Sequence, residues 1–353
     1  MSMPMPSQPV APPPMIGDVR LASCVALAPM AGITDQPFRA VVAGFGAGLV
    51  VSEMVASAEM VTARPSVRAQ IRAKAEIAGA GDVPVSVQLA GREAAPMGRA
   101  ARIVAGMGAR IIDINMGCPA RKVTGGLSGS ALMRDPDHAL RLIEAVAEAG
   151  QAEGGVPVTL KMRLGWDHDG LNAPLIAARA RDAGVAMVVI HGRTRAQFYT
   201  GQADWAAIAP TRAALPGVVL LANGDVTGPA SARAAMAASG ADGVMVGRGA
   251  QGRPWIVAQI GAALAGQTPP DAPQGRALAD LIGAHHQAML GFYGTDLGLR
   301  VARKHLGWYA DAAGVAAADR KRLLTAPDAA TAQRLIAAIF ADAPGDAPGK
   351  AAA

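Results

Sequence analysis

Short apolar runs, rich in β-branched residues, recur along the chain at a nearly constant interval. They cover residues 21–28, 49–52, 83–89, 111–115, 156–163, 186–191, 218–222 and 243–246, and polar, glycine or proline residues close them, which predicts eight strands. Between them lie Ala-rich stretches with helical periodicity at 93–107, 136–149, 172–183 and 229–239. A further helix is expected from about Gln36, capped by Thr34 or Asp35. The strand ends between 29 and 247 fall about 31 residues apart, the size of one βαβ unit. Eight such units close a barrel, so the expected class is α/β, a (β/α)8 TIM barrel. Beyond Arg253 the strand signal stops, and 276–292, 299–312, 318–324 and 329–340 read as helices, a small C-terminal all-helical domain. The expected division is a barrel over 16–253 and a helical domain over 254–342, flanked by tails at 1–15 and 343–353 whose composition suits disorder.

One strand end carries unusual chemistry. Ile111, Ile112 and Ile114 read as a strand buried on both faces, and Gly117 and Pro119 stop it abruptly. Pro119 restricts Cys118 to extended angles, and Gly117 lets the backbone approach whatever lies above, so a thiol is mounted in a stiff loop. A lone cysteine is often a small buried hydrophobe, which is the reading given to Cys24 in the first strand. For Cys118 the other strand ends argue otherwise. They present Pro29, Met30 and Ala31, then Glu53, Gln88, Asn115, Lys161 with Arg163, His191, Asn223-Gly224-Asp225 and Gly247-Arg248-Gly249. Each has a bland explanation: Gln88 and His191 could be satisfied core polars, and Asn-Gly-Asp a plain turn. In a barrel, however, all eight ends converge on the face where active sites are built.

The loops after strands 7 and 8 are the usual phosphate site of this fold, and here they offer glycine amides and the Arg248 guanidinium. A phosphorylated cofactor is implied. Gly247, Gly249 and Gly252 also fit G-x-G-x-x-G, but the motif follows the last strand of a repeating series with no further βαβ unit, so a dinucleotide-binding fold is rejected.

Composition adds limits. No apolar run approaches the about 20 residues of a membrane span, and the N-terminus lacks the features of a signal peptide. Two cysteines in 353 residues make no disulfide framework, so a cytoplasmic protein is expected. No metal site is predicted. The net charge of +6 favours an acidic partner, and a 3% aromatic content argues against an aromatic stacking sheet for RNA. Arg300, Arg303 and Lys304 share one helical face of the C-terminal domain, which is either a solvated surface or a grip on an RNA backbone.

Ala28 to Asp35 with Pro37, Phe38 and Arg39, then Ser52-Glu53-Met54, Asp113 to Pro119, Lys161-Met162-Arg163, His191 to Thr194, Asn223 to Asp225 and Gly247-Arg248 occur in that order. This set resembles the bacterial tRNA-dihydrouridine synthases over about residues 16–340, and Arg303-Lys304-His305 with Trp308-Tyr309 resembles their B-type branch. The resemblance implies FMN at the barrel mouth. The backbone of Pro29, Met30 and Ala31 would lie along the isoalloxazine, with Gln88 and Lys161 on the ring. His191, Asn223, Gly224, Asp225, Gly247 and Arg248 would continue to the ribityl phosphate. It further implies that NADPH, or alternatively NADH, reduces the flavin, that hydride passes to C6 of specific D-loop uridines in tRNA, and that Cys118 protonates C5. Such an acid needs a protonated thiol, unlike a nucleophilic thiolate. Asn115, Arg163, Lys122, Arg193, Arg300, Arg303 and Lys304 are the expected tRNA contacts. No obligate protein partner is implied, and a monomer is expected. Two alternatives fit less of the chain. Oxidoreduction of a free pyrimidine, as in dihydroorotate dehydrogenases, has no use for the helical domain, and RNA binding without catalysis leaves Cys118 and Lys161 without purpose.

Overall fold

A computed structural model of the chain describes residues 13–61, 81–125 and 127–346; most of both expected tails lies outside the described residues. Eight parallel strands form its centre: β1 (Val25–Leu27), β2 (Leu49–Val51), β3 (Val85–Ala90), β4 (Ile111–Met116), β5 (Val158–Arg163), β6 (Met187–His191), β7 (Val219–Asn223) and β8 (Gly243–Val246). They pair in the order β2–β1–β8–β7–β6–β5–β4–β3, and β2 pairs with β3 to close the ring. The expected barrel is therefore present, with β1 shorter than predicted.

Strand alternation sorts its residues into two sets. Val25, Leu27, Val50, Val87, Ile112, Ile114, Leu160, Val188 and Leu220 pack outward with the helices, such as Ala94–Gly106 and Pro136–Ala152. Ala26, Leu49, Val51, Ile111, Met187, Val189, Leu221 and Met245 share a separate cluster with Ile16, Val19 and Leu21. These last three flank or belong to a hairpin, Met15–Ile16 against Val19–Arg20, that the periodicity did not reveal. Strands of two residues are too short to show a period. The same alternation puts Ser86 and Gln88 of β3, Asp113 and Asn115 of β4, and Thr159 of β5 in the interior, all buried. The barrel is thus filled by an apolar floor with a polar layer above it on the β3–β5 side.

Helix starts follow their caps. Asp35, not Thr34, caps Gln36–Gly44 through the Phe38 N–H at 3.0 Å, while the Thr34 hydroxyl accepts from the Met30 N–H at 2.8 Å and closes the β1 loop. Asp135 caps Pro136–Ala152. The helix Ile256–Leu264 was not anticipated. Ile256, Val257 and Ile260 join the barrel's outer cluster, so the eighth barrel helix extends past the expected boundary at Arg253.

Helices Gly275–Tyr293, Thr295–Ala312, Ala317–Leu324 and Ala329–Phe340 follow, around a second cluster that includes Leu278, Ile282, Leu306, Tyr309 and Phe340. This bundle sits beside the β1 loop. Tyr293 Oη donates to Asp35 Oδ2 at 2.8 Å, Lys304 Nζ donates to the Gly32 carbonyl, and the Phe38 ring lies 5.1 Å from that of His305. Asp346 pairs with Arg253 at 2.5 Å, so the chain remains pinned beyond the expected tail boundary at 343. Among the described residues no helix is long and apolar enough to cross a membrane.

Candidate active site

The β4 strand ends in a loop tied at three points. Asn115 Oδ1 accepts from the N–H groups of Gly117 at 3.2 Å and Cys118 at 3.0 Å, an Asx-type turn. The Cys118 carbonyl accepts from the backbone N–H of Ser130 at 3.1 Å and from its hydroxyl at 3.0 Å. Arg163 Nε donates to the Gly117 carbonyl at 2.9 Å. Gly129 is required next to this loop: its φ is +62°, and a Cβ there would meet the Cys118 carbonyl at 2.8 Å. Cys118 itself is half-buried.

Arg163 was expected to contact tRNA; in the fold it is turned onto the protein's own backbone. Its side chain is 1% exposed, and Nη1 donates to the carbonyls of Thr194 at 2.7 Å and Phe198 at 2.8 Å. It ties the Cys118 loop to the loop after β6. Burial, with the charge of Arg193 adding to it, pushes its pKa down to about 10 even against Tyr199 and Cys118. Arg193, another expected tRNA contact, is likewise turned onto the protein's own groups. At 2% exposure it donates to the Thr200 and Gly201 carbonyls and, at 2.7 Å, to Asp225 Oδ2.

Lys161 stands opposite on β5, with Nζ donating to Asn223 Oδ1 at 3.0 Å, while Asn223 Nδ2 donates to the Met245 carbonyl. Burial, reinforced by the charge of Arg163, pushes Lys161 down to about 8. His191 Nε2 lies 3.3 Å from Arg193 Nη1. A guanidinium can only donate, so Nε2 accepts and the ring proton sits on Nδ1. Burial first, and then Lys161, Arg163, Arg193 and Arg248, hold His191 neutral far below its usual range.

Asp225 has φ +53°, after Gly224 at +108°, whose missing Cβ leaves room for the His191 ring. Its Oδ2 accepts from Arg193 and from the Ala203 N–H, and its Oδ1 accepts from Arg248 Nη2 at 3.2 Å. Burial alone would raise this carboxyl, but those hydrogen bonds and the two guanidinium charges outweigh it and keep the pKa low. Arg248 remains half-exposed at the mouth. Gly247 faces Met30, whose sulfur would lie 3.6 Å from an added Cβ, so the β8 end and the Pro29–Met30–Ala31 loop are neighbours.

The structure therefore gathers Met30, Asn115, Cys118, Lys161, His191, Asn223, Asp225, Gly247 and Arg248 at one mouth, on the C-terminal side of the strands. Gln88 lies deeper. It donates to Asp113 and accepts from Asn115, with both contacts at 2.7 Å. Arg300 and Arg303 are exposed on Thr295–Ala312, apart from this group, and Lys304 is spent on Gly32. Lys122 belongs to the short helix Arg121–Thr124, and its side chain lies outside the described residues. The motif reading quoted Asp113 without a role and missed Thr159; strand parity points both inward. It also missed a stack of Arg134 and Arg195 on the Trp166 ring, at 5.0 and 4.7 Å from its centroid.

Comparisons agree with the barrel fold. The dihydrouridine synthase (Dus) family profile matches residues 26–341. A Rhodobacter capsulatus protein named "Probable tRNA-dihydrouridine synthase" is 64% identical over 93% of this chain and 98% of its own length. A Xanthomonas axonopodis pv. citri protein named "tRNA-dihydrouridine synthase B" is 47% identical over 84% of this chain and 86% of its own. Among solved structures, morphinone reductase in complex with tetrahydroNAD shares the fold (TM-score 0.51, 15% identity, covering 71% of this chain and 89% of that chain). So does histamine dehydrogenase from Rhizobium sp. 4-9 (TM-score 0.54, 13% identity, 78% and 50%). With its ordered motifs, its closed barrel and a family match across nearly the whole described chain, this protein belongs to the dihydrouridine synthase family.

Proposed function

We propose that this protein reduces the C5=C6 bond of D-loop uridines in tRNA to 5,6-dihydrouridine, with bound FMN, with NADPH as reductant, and with Cys118 as the acid. The relatives' names supply the substrate class. The observation that carries the reading is the placement of the Cys118 loop, tied by Asn115, Ser130 and Arg163, at the same mouth as Lys161 and Arg248.

The donor set fits a flavin phosphate. It offers the half-exposed Arg248 guanidinium steadied by Asp225 and bare backbone at Gly224 and Gly247, while the Lys161 ammonium is left for the ring end. When bound, FMN supplies the hydride that reaches C6. The chain's own residues do the rest. Cys118 gives its proton to C5, leaving a thiolate that solvent reprotonates, so the product gains two hydrogens across one double bond. The Lys161 ammonium favours the negative charge that gathers on the uracil ring before C5 is protonated. Asn115 holds the thiol's loop still, which limits the positions the acid can take.

The target base must leave its stack to enter this mouth. Exposed Arg300 and Arg303 on the helical bundle, and Arg134 and Arg195 on Trp166, supply cations for the surrounding phosphates. A protein acting on free pyrimidine has no use for that bundle. The test is to incubate the purified, FMN-loaded protein with NADPH and unmodified tRNA, then map the nucleosides by mass spectrometry. Dihydrouridine in the D-loop is expected. FMN that NADPH bleaches, with no dihydrouridine in any tRNA offered, overturns the reading.

A further inference from the structure

The hydrogen bonds inside the barrel have a direction set at one end. Backbone N–H groups only donate, so the Asn115 atom 3.2 and 3.0 Å from those of Gly117 and Cys118 is the amide oxygen. Its nitrogen therefore faces Gln88 at 2.7 Å, and the receiving atom is Oε1. That turns Gln88 Nε2 onto Asp113 Oδ2, also at 2.7 Å, where Asp113 must accept. The other Asp113 oxygen accepts from the Thr159 hydroxyl at 2.6 Å. All four side chains are buried, so reversing either amide would set donor against donor or acceptor against acceptor with no water to relieve it.

We propose that Asp113, Gln88 and Asn115 are positioning residues, a relay of fixed polarity that holds the Cys118 loop from inside the barrel. Gln88 thereby acts on the loop through Asn115. The proposal rests on Cys118 being the acid, but its core, the hold on the loop, is independent of activity.

A charge transposition tests it. Gln88→Glu sets two carboxylates against each other where one hydrogen bond stood. Adding Asp113→Asn restores the pattern: the amide nitrogen introduced on β4 donates to the carboxylate introduced on β3, whose other oxygen still accepts from Asn115, and a single carboxylate remains. Two readouts are followed: the rate at which iodoacetamide alkylates Cys118, measured on its peptide, and dihydrouridine formation per bound FMN. Gln88→Glu should shift both by roughly tenfold or more, the equivalent of one unmatched buried hydrogen bond. The double variant should return both to within about threefold of wild type, the non-additivity expected of groups in contact. A Gln88→Glu protein that does not fold, beside a double variant that does, counts equally as recovery. The relay is overturned if Gln88→Glu matches wild type, or if the double variant is no better than Gln88→Glu. Should wild type form no dihydrouridine, the functional reading fails instead, and the alkylation series alone decides the relay.

Discussion

Arg163→Met removes one guanidinium and, with it, the tie between the Cys118 loop and the loop after β6. Three donated hydrogen bonds disappear, to Gly117, Thr194 and Phe198. Bonds of this charge-assisted kind contribute about 1.5–3 kcal/mol each, or about 4–9 together. Against that stands the cost of burying the charge: a pKa lowered from 12.5 to about 10 corresponds to about 3 kcal/mol. The methionine keeps much of the packing of the arginine stem but leaves three carbonyls unpaired, so a net loss of about 1–6 kcal/mol is expected. Urea unfolding of the FMN-free protein reads it directly as a lower midpoint at unchanged slope. At a temperature where the variant stays folded, dihydrouridine formation should fall more than flavin reduction by NADPH, because the acid's loop is what loses its tether. A variant with a wild-type midpoint and full product formation would show that Arg163 is a bystander and that the loop is held elsewhere.

Cys118→Ala should leave FMN binding and flavin reduction intact while slowing dihydrouridine formation by about 10² to 10⁴, read in single-turnover assays. Arg248→Ala should weaken FMN retention roughly ten- to a hundredfold, measured by flavin release on dilution. Replacing Arg300 and Arg303 with Ala should flatten the slope of log affinity for tRNA against log salt by up to about 2 units and leave flavin reduction unchanged. The bundle should also be acid-sensitive. Burial, with help from His286, pushes His285 down to about 3; burial, with help from His285 and Lys304, pushes His305 to about 2. Both are neutral in the fold and take up protons near 6.5 once unfolded, so their stabilisation is complete above that pH and fades as pH falls toward 3. The slope is about 1.4 kcal/mol per pH unit for each ring. Thermal melts from pH 7 to 4.5 should track this loss, and replacing His305 with Phe should shrink it.

Much of the fold was legible because it repeats. Each barrel strand is a compact apolar run, and eight of them at even spacing constrain one another more than any one run could alone. Among the unread pieces are the two-residue strands of the hairpin, too short for a period, and the helix Ile256–Leu264, whose apolar face docks on the barrel although its sequence runs on toward the helical bundle without a strand to mark the boundary. Lys304 reads as part of a basic surface, yet it ends on the Gly32 carbonyl, because only tertiary structure brings that loop within reach.

The site was legible in place but not in role, and strand geometry explains why. A residue at the C-terminal end of a barrel strand is at the mouth whatever it does there, so end position finds Cys118, Lys161 and Arg248. It finds Arg163 by the same rule, and the fold turns both Arg163 and Arg193 onto backbone carbonyls. What separates the two groups is the supply of carbonyls. The loop after β6 runs through residues 194–201 across the mouth, and its turns leave the backbone oxygens of Thr194, Phe198, Thr200 and Gly201 facing inward, where only arginine's forked donors can serve several at once. Lysine, with a single nitrogen, is left to meet one oxygen of Asn223 and remains available for chemistry. The arginines at this mouth thus build walls around Lys161 and Cys118. That division follows from donor number and loop path, neither of which is visible until the chain is folded.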